Sequence, residues 1–228
     1  MLESVLVPIH RAGWIFVAGF FALAVILGFV WEPLFWLGLL VTAWCIYFFR
    51  DPPRSTPTRA GLVVSPCDGR VQMITKATAP SELNLGEAPL TRISIFLNVF
   101  DVHINRVPVD GTVTGLHYHS GAFLNAALDK ASEENERQEI ALETPDGVRL
   151  AVVQIAGLVA RRIICDLREG QQLRAGERFG LIRFGSRVDI YLPDGVAPLV
   201  AVGQRAVGGE TVLADLESGE AARAGEIR

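Results

Sequence analysis

The hydrophobic pattern divides the chain into two unlike parts. From Ala12 to Trp31 no residue is charged. Twenty helical residues rise about 30 Å, the thickness of a bilayer's hydrocarbon layer. Glu32-Pro33 interrupts the run, and a second apolar stretch goes from Leu34 to Phe49. Proline ends helices and disfavours helix at the residue before it. The pattern therefore predicts two membrane helices joined by a tight turn, within residues 1–50. The second stretch is short, so a shallow hairpin that does not fully cross is an alternative. A buried hairpin of a soluble domain is another. A signal peptide is a third, but no small-x-small cleavage site follows the first run. Asp51-Pro-Pro-Arg-Ser-Thr-Pro then reads as a stiff linker, over 51–60.

Past residue 60 helical periodicity is scarce. Short alternating or β-branched runs dominate, with Gly, Pro and Asp at the turns. Strands are predicted at Arg70–Ile74, Arg92–Leu97, Thr112–His119, Glu139–Glu143, Arg149–Ile155, Ala160–Cys165, Arg178–Arg183, Val188–Leu192 and Leu199–Val202. Leu124 to Glu136 is the one candidate for a short helix or ordered loop. Pro66-Cys-Asp68-Gly69-Arg-Val71 is echoed by Pro108-Val-Asp110-Gly111-Thr-Val113, and more weakly by Pro193-Asp194-Gly195-Val196. Asp-Gly suits a tight turn with positive φ, so the echo reads as a repeated strand-turn-strand unit. The fold class expected is mainly β: a sandwich or barrel-like domain over 61–228, preceded by the helical hairpin.

Charge and composition sharpen this picture. A mean hydropathy of +0.33 and a chain that is half hydrophobic suit a membrane segment. Arg11 precedes the two runs and Arg50, Arg54 and Arg59 follow them, with no lysine or arginine between. The positive-inside rule then puts both ends, and everything after Arg50, in the cytoplasm. Trp14, Trp31, Trp44 and Tyr47 stand near the span ends, as interfacial aromatics do. The net charge of −4 gives no reason to expect nucleic acid as a partner. Cys45, Cys67 and Cys165 are odd in number and lack metal-site spacing, so neither a disulfide framework nor a thiolate metal site is expected. Lysine occurs only at Lys76 and Lys130, which disfavours chemistry that depends on a lysine Schiff base.

Few residues remain for catalysis. Gly185-Ser186 sits at a break between two apolar strands and, by itself, reads as an ordinary hairpin turn. Its chemistry admits more. A serine hydroxyl beside an unshielded glycine carbonyl can attack it, move the acyl group from nitrogen to oxygen, and then eliminate to break the chain. Such a step needs a nearby base and acid. There are four histidines, His10, His103, His117 and His119. His103 directly follows a strongly apolar strand, a common place for a site residue, although alone it also suits a structural role. His117 and His119 share one face of a strand and could bind a metal, but no third ligand stands at a suitable spacing, so no metal site is expected.

Taken together, several segments resemble the phosphatidylserine decarboxylase proenzymes, particularly their short bacterial and archaeal branch. They are Ser65-Pro-Cys-Asp68-Gly-Arg-Val, Phe96-Leu-Asn-Val-Phe-Asp-Val-His103-Ile-Asn-Arg-Val-Pro, Gly121-Ala-Phe-Leu-Asn125-Ala, Asp129-Lys-Ala-Ser-Glu-Glu-Asn135-Glu-Arg137 and Arg178-Phe-Gly-Leu-Ile-Arg-Phe-Gly185-Ser186-Arg. Phe-Gly-Ser-Arg combined with Phe-Asp-Val-His is highly specific. The resemblance implies a chain that cleaves itself between Gly185 and Ser186, giving a long chain 1–185 and a short chain 186–228. Ser186 would become a pyruvoyl cofactor. Asp68, His103 and Ser186 would form a triad in which Asp68 fixes the imidazole tautomer and His103 takes the serine proton. Some relatives carry a second histidine where Arg106 stands here; Arg106 is instead a candidate for meeting the substrate's phosphate or carboxylate. His117, His119 and Asn125 are further candidates for lining the site.

The implied reaction converts phosphatidylserine to phosphatidylethanolamine and CO2 through a Schiff base with the pyruvoyl ketone. It needs no lysine. The implied setting is the cell membrane, with the catalytic domain on the cytoplasmic side, a phospholipid substrate and a homodimer. Two other readings share parts of the pattern. One is a serine ether-lipid decarboxylase with the same chemistry. The other is a non-enzymatic membrane-anchored module resembling barrel-sandwich carrier domains, against which stands the absence of a lysine in a hairpin turn.

Overall fold

The structure is a computed structural model that describes residues 7–122, 134–157, 162–183 and 185–226. The chain forms two compact units, Met1–Pro53 and Arg54–Arg228.

The first unit is a helical hairpin. α1 spans Trp14–Gly28 and α2 spans Glu32–Phe48. The turn between them lies at residues 29–31, ahead of the expected Glu32-Pro33 interruption, and α2 opens with Glu32 and then Pro33. Its fixed φ and missing N–H are harmless in a first turn. The helices touch where Gly38 lies against Ala24; a Cβ on Gly38 would collide with the Ala24 methyl. Small residues let helix backbones approach this closely. The chain ends meet through the His10 N–H to Phe49 carbonyl bond (2.8 Å) and the Asp51 N–H to Pro8 carbonyl bond (2.7 Å). Arg11–Gly28 is long and apolar enough to cross a membrane, with mean hydropathy 1.9; Glu32–Phe48 is shorter.

The second unit is mainly β, as the sequence pattern predicts. Its strands are β1 (Leu62–Val64), β2 (Gly69–Ala77), β3 (Leu90–Leu97), β4 (Ile104–Arg106), β5 (Gly111–His119), β6 (Arg137–Glu143), β7 (Arg149–Ala156), β8 (Ile163–Cys165), β9 (Gln172–Leu173), β10 (Arg178–Ile182), β11 (Ser186–Leu192), β12 (Arg205–Ala206) and β13 (Val212–Asp215). Eight of them form one antiparallel sheet curled into a half-barrel, in the order β12-β2-β3-β11-β7-β6-β5-β9. A three-stranded sheet β4-β10-β8 and a pair β1-β13 complete the unit. One face of the large sheet carries Ile93, Ile95, Leu97, Val152, Val188 and Ile190, and packs with Phe179 and Ile182 of β10 and Leu213 of β13 into the main core. The other face carries Leu90, Ala151, Val153, Ile155 and Tyr191, covered by Ala79 and Leu83.

Two expectations fail here. Leu199–Val202 is not a strand. The Gln204 N–H returns to the Ala201 carbonyl (3.2 Å), the Gln204 side chain accepts from the Ala201 N–H (2.8 Å), and Gly203 has φ +93°, so the chain turns. Nor is Gly185-Ser186 a hairpin turn. β10 pairs with β4 and β8, whereas β11 pairs with β3 and β7. The bond lies where the chain leaves one sheet for another. Arg54 and Ser55, expected within the linker, are bonded into the second unit through Asp68 and Glu210. Most of the Leu124 to Glu136 segment lies outside the described residues.

Candidate active site

The crossing from β10 to β11 sets the first element of the site. Gly185 has φ +73°, a left-handed conformation that an L side chain adopts only at a cost. Ser186 then opens β11, paired with Leu97 on one side and Ala156 on the other. Strand alternation puts its side chain on the face of Val188 and Ile190, toward the main core. Ser186 is completely buried, and its hydroxyl has no hydrogen-bond partner among the described residues. An unmade buried hydrogen bond costs about 1–3 kcal/mol, so this orphan needs an explanation.

The second element is His103, brought in by β4. β4 pairs with β10, Ile104 opposite Leu181. The Ile182 N–H reaches the His103 carbonyl at 3.3 Å. The imidazole is buried, 2 % exposed. Its Nε2 accepts the Gly185 N–H at 3.4 Å, and its Nδ1 lies 3.0 Å from the Asp101 carbonyl. A nitrogen that accepts carries no proton, so the ring's hydrogen sits on Nδ1 and donates to Asp101. The basic nitrogen thus faces the Gly185-Ser186 amide. Asp101 shapes the loop that presents the ring. Its carboxylate accepts from the Asn98 N–H at 2.9 Å and from Arg205 Nη2 at 2.5 Å.

Asp68 is held by Arg54 and by the Gly208 amide. Both its oxygens receive Arg54 Nη2, at 2.9 and 2.8 Å, and Oδ1 also accepts the Gly208 N–H at 2.9 Å. The acceptor set against His103 Nδ1 is the Asp101 carbonyl. Burial pushes the Asp68 carboxyl up from its ordinary pKa, against the opposing pull of Arg54 and the Gly208 amide; the Asp101 charge adds a small upward push. The neighbouring Cys67 thiol is also raised, first by burial and then by Asp68, which leaves it unreactive.

The remaining candidates separate by register. Arg106 follows Asn105 on β4 and turns away from it, donating to the Gly176 carbonyl at 2.8 Å. On the large sheet, His117 pairs with Glu139, Glu139 with Val153, and Val153 with Asp189. Residues directly opposite share a face. His117 and His119 therefore lie on the face of Arg187 and Asp189, opposite to Ser186. There His119 Nε2 stands 3.2 Å from Glu139, and Glu82 completes a trio whose ligand atoms lie within 4.8 Å of one another. Sequence spacing did not show these two carboxylates beside His119; Arg137 Nε also holds Glu139, at 2.6 Å. Asn125 lies outside the described residues. A cavity of about 560 Å³, lined by Arg59, Asp110, Asp146 and Arg174 among others, includes neither Ser186 nor His103.

Sequence reasoning did not single out Asp101, Arg54 or a buried amide pair, Asn105 with Gln154, whose side chains meet at 2.7 Å. Asp101 and Asn105 stand within two residues of His103, which was the available signal. Arg54 and Gln154 gave none, because their partners are remote in sequence.

The family model for phosphatidylserine decarboxylase matches residues 41–214. The phosphatidylserine decarboxylase proenzyme of Paramagnetospirillum magneticum is 64% identical over 222 residues, covering 97% of this chain and 92% of that protein. The protein of the same name from Cereibacter sphaeroides is 58% identical over 228 residues, covering 100% and 98%.

Proposed function

The chain belongs to the phosphatidylserine decarboxylase family, and from that membership we propose that it is a precursor that cuts itself to make its own catalytic ketone. The observation that carries this reading is the buried Ser186 hydroxyl, without a partner among the described residues, beside an amide that faces His103 Nε2. A hydroxyl in that position is costly for a fold alone. It suits a nucleophile whose partner is the adjacent carbonyl.

In the proposed sequence His103 Nε2 takes the Ser186 hydroxyl proton, and Oγ attacks the Gly185 carbonyl carbon. The amide becomes an ester and the Ser186 nitrogen is freed. Loss of the Ser186 Cα proton then expels the Gly185 carboxylate. Water replaces the nitrogen, which leaves as ammonia, and residue 186 heads the chain 186–228 as a pyruvoyl group. The Asp101 carbonyl holds the imidazole in the tautomer that leaves Nε2 basic. Asp68 is kept as the acidic member, a carboxylate whose negative charge would favour the imidazolium that forms. His103 subsequently stands beside the new ketone, placed to return a proton to the substrate.

The pyruvoyl ketone supplies the carbonyl for the substrate's amine and the electron sink for decarboxylation. The substrate class is phosphatidylserine, giving phosphatidylethanolamine and CO2. The apolar hairpin tethers the chain to the cytoplasmic side of a membrane, which raises its effective concentration at the lipid surface.

Intact mass measurement of the purified full chain tests this. Two chains are expected, 1–185 and 186–228, the second lighter by one ammonia than a serine-headed fragment. Ser186→Ala is expected to stay whole and to release no CO2. A Ser186→Ala chain that still splits at 185–186 would end the proposal.

A further inference from the structure

The proposed centre contains two more buried polar atoms without hydrogen-bond partners among the described residues. Asn105 and Gln154 are both completely buried. Gln154 Nε2 donates to Asn105 Oδ1 at 2.7 Å, which leaves Asn105 Nδ2 and Gln154 Oε1 unpartnered among the described residues. Turning both amides over would exchange their atoms and still leave one donor and one acceptor. Leaving both unmade is costly, and native interiors rarely do so without a use for them.

Their location gives the use. Gln154 of β7 is opposite Val188, one same-face step from Ala156 and so diagonal to Ser186. Diagonal neighbours lie about 7–8 Å apart, within reach of a long side chain. Asn105 is two residues beyond His103, in register with Gly180 of β10 as the His103 carbonyl is with Ile182. The amide pair therefore bridges the two sheets next to the serine and the histidine.

We propose that Asn105 and Gln154 recognise the amino-acid end of the substrate, with Asn105 Nδ2 donating to its carboxylate and Gln154 Oε1 accepting from its amine. This assignment rests on the reading given under Proposed function and adds a headgroup site to it. An α-amino acid offers one acceptor group and one donor group on a single carbon, which one donor and one acceptor side by side complement. The neutrality of the pair also suits the reaction. An arginine would hold the carboxylate firmly in the ground state and oppose its departure as CO2, whereas an amide orients it without that penalty. Once CO2 has left, the Asn105 donor has lost its partner, so the product is held less tightly than the substrate.

The test uses the full-length chain in detergent micelles, with Asn105→Ala and Gln154→Ala. Chain splitting is followed by gel, turnover with phosphatidylserine, and inhibition with O-phospho-L-serine and with phosphoethanolamine. Both variants are expected to split as the wild type does. Removal of a hydrogen bond to a charged group is expected to lower kcat/KM roughly 10–100-fold. Asn105→Ala is expected to weaken inhibition by phosphoserine by a similar factor while leaving phosphoethanolamine, which has no carboxylate, within about twofold. Retained phosphoethanolamine inhibition also reports an intact fold. Equal weakening of both inhibitors, unchanged kcat/KM, or a variant that no longer splits would each overturn the assignment. A wild-type chain that never splits would instead remove the pyruvoyl reading, and this site with it.

Discussion

The His103 ring accepts the Gly185 amide hydrogen at Nε2 while the His103 carbonyl accepts from Ile182, so the imidazole and the segment proposed to be cut form one hydrogen-bonded unit. β4 cannot shift along β10 without carrying the imidazole off the bond. His103→Ala keeps the strand pairing but removes the base. Because general base catalysis is worth roughly 10²–10⁴-fold, self-cleavage is expected to slow by about that factor. The uncut precursor should accumulate on a denaturing gel, and cleavage at an unaltered rate would exclude His103.

Gly185 allows a second test. A Cβ built there meets nothing within 4 Å, so space is not the constraint. The constraint is its φ of +73°. Gly185→Ala should destabilise the precursor by about 1–2 kcal/mol, the usual cost of a left-handed L residue. Thermal melts in a Ser186→Ala background measure this without interference from chain cutting. With Ser186 restored, a chain that relaxes its φ moves the carbonyl away from the hydroxyl, so cleavage should also slow.

Much of this was legible in the sequence, and the failures share a cause. Period-two alternation located the long strands, such as Gly111–His119 and Arg149–Ala156. Two-residue strands such as Gln172–Leu173 and Arg205–Ala206 are too short to show a period. Alternation established that His117 and His119 share a face, but which face meets Ser186 depends on successive strand pairings from β5 through β6 and β7 to β11. Strand, glycine, serine, strand looks the same whether the chain folds back or crosses between sheets. The Gln154 partner of Asn105 is 49 residues away. Local pattern carries the elements, and non-local pairing carries the site.

The register assignment of the two histidines is itself testable. His117→Ala and His119→Ala remove side chains from the face of Arg187 and Asp189. Neither should change the rate of chain splitting or kcat/KM by more than about twofold, as expected for sites outside the reacting centre. A loss of turnover near that of His103→Ala in either variant would mean that both faces of the sheet serve the chemistry.

Asp68 makes a pH-dependent prediction. Burial raises its carboxyl above the ordinary value despite Arg54 and the Gly208 amide. Between the unfolded and folded pKa values the folded chain holds a proton that the unfolded chain has lost. Stability then falls as pH rises through that window, so the contribution is fully present below the unfolded value and lost above the folded one. The amide introduced by Asp68→Asn cannot titrate. In a Ser186→Ala background, the chain that keeps Asp68 should therefore gain melting temperature relative to Asp68→Asn as pH falls from neutral toward about 4. The difference between the two melting curves isolates this carboxyl from the rest of the chain's titration. A difference that moves the other way would mean that Arg54 and Gly208 outweigh burial. Asp68 would then be a firmly ionised anchor for Arg54, its charge fully available to the His103 imidazolium at neutral pH.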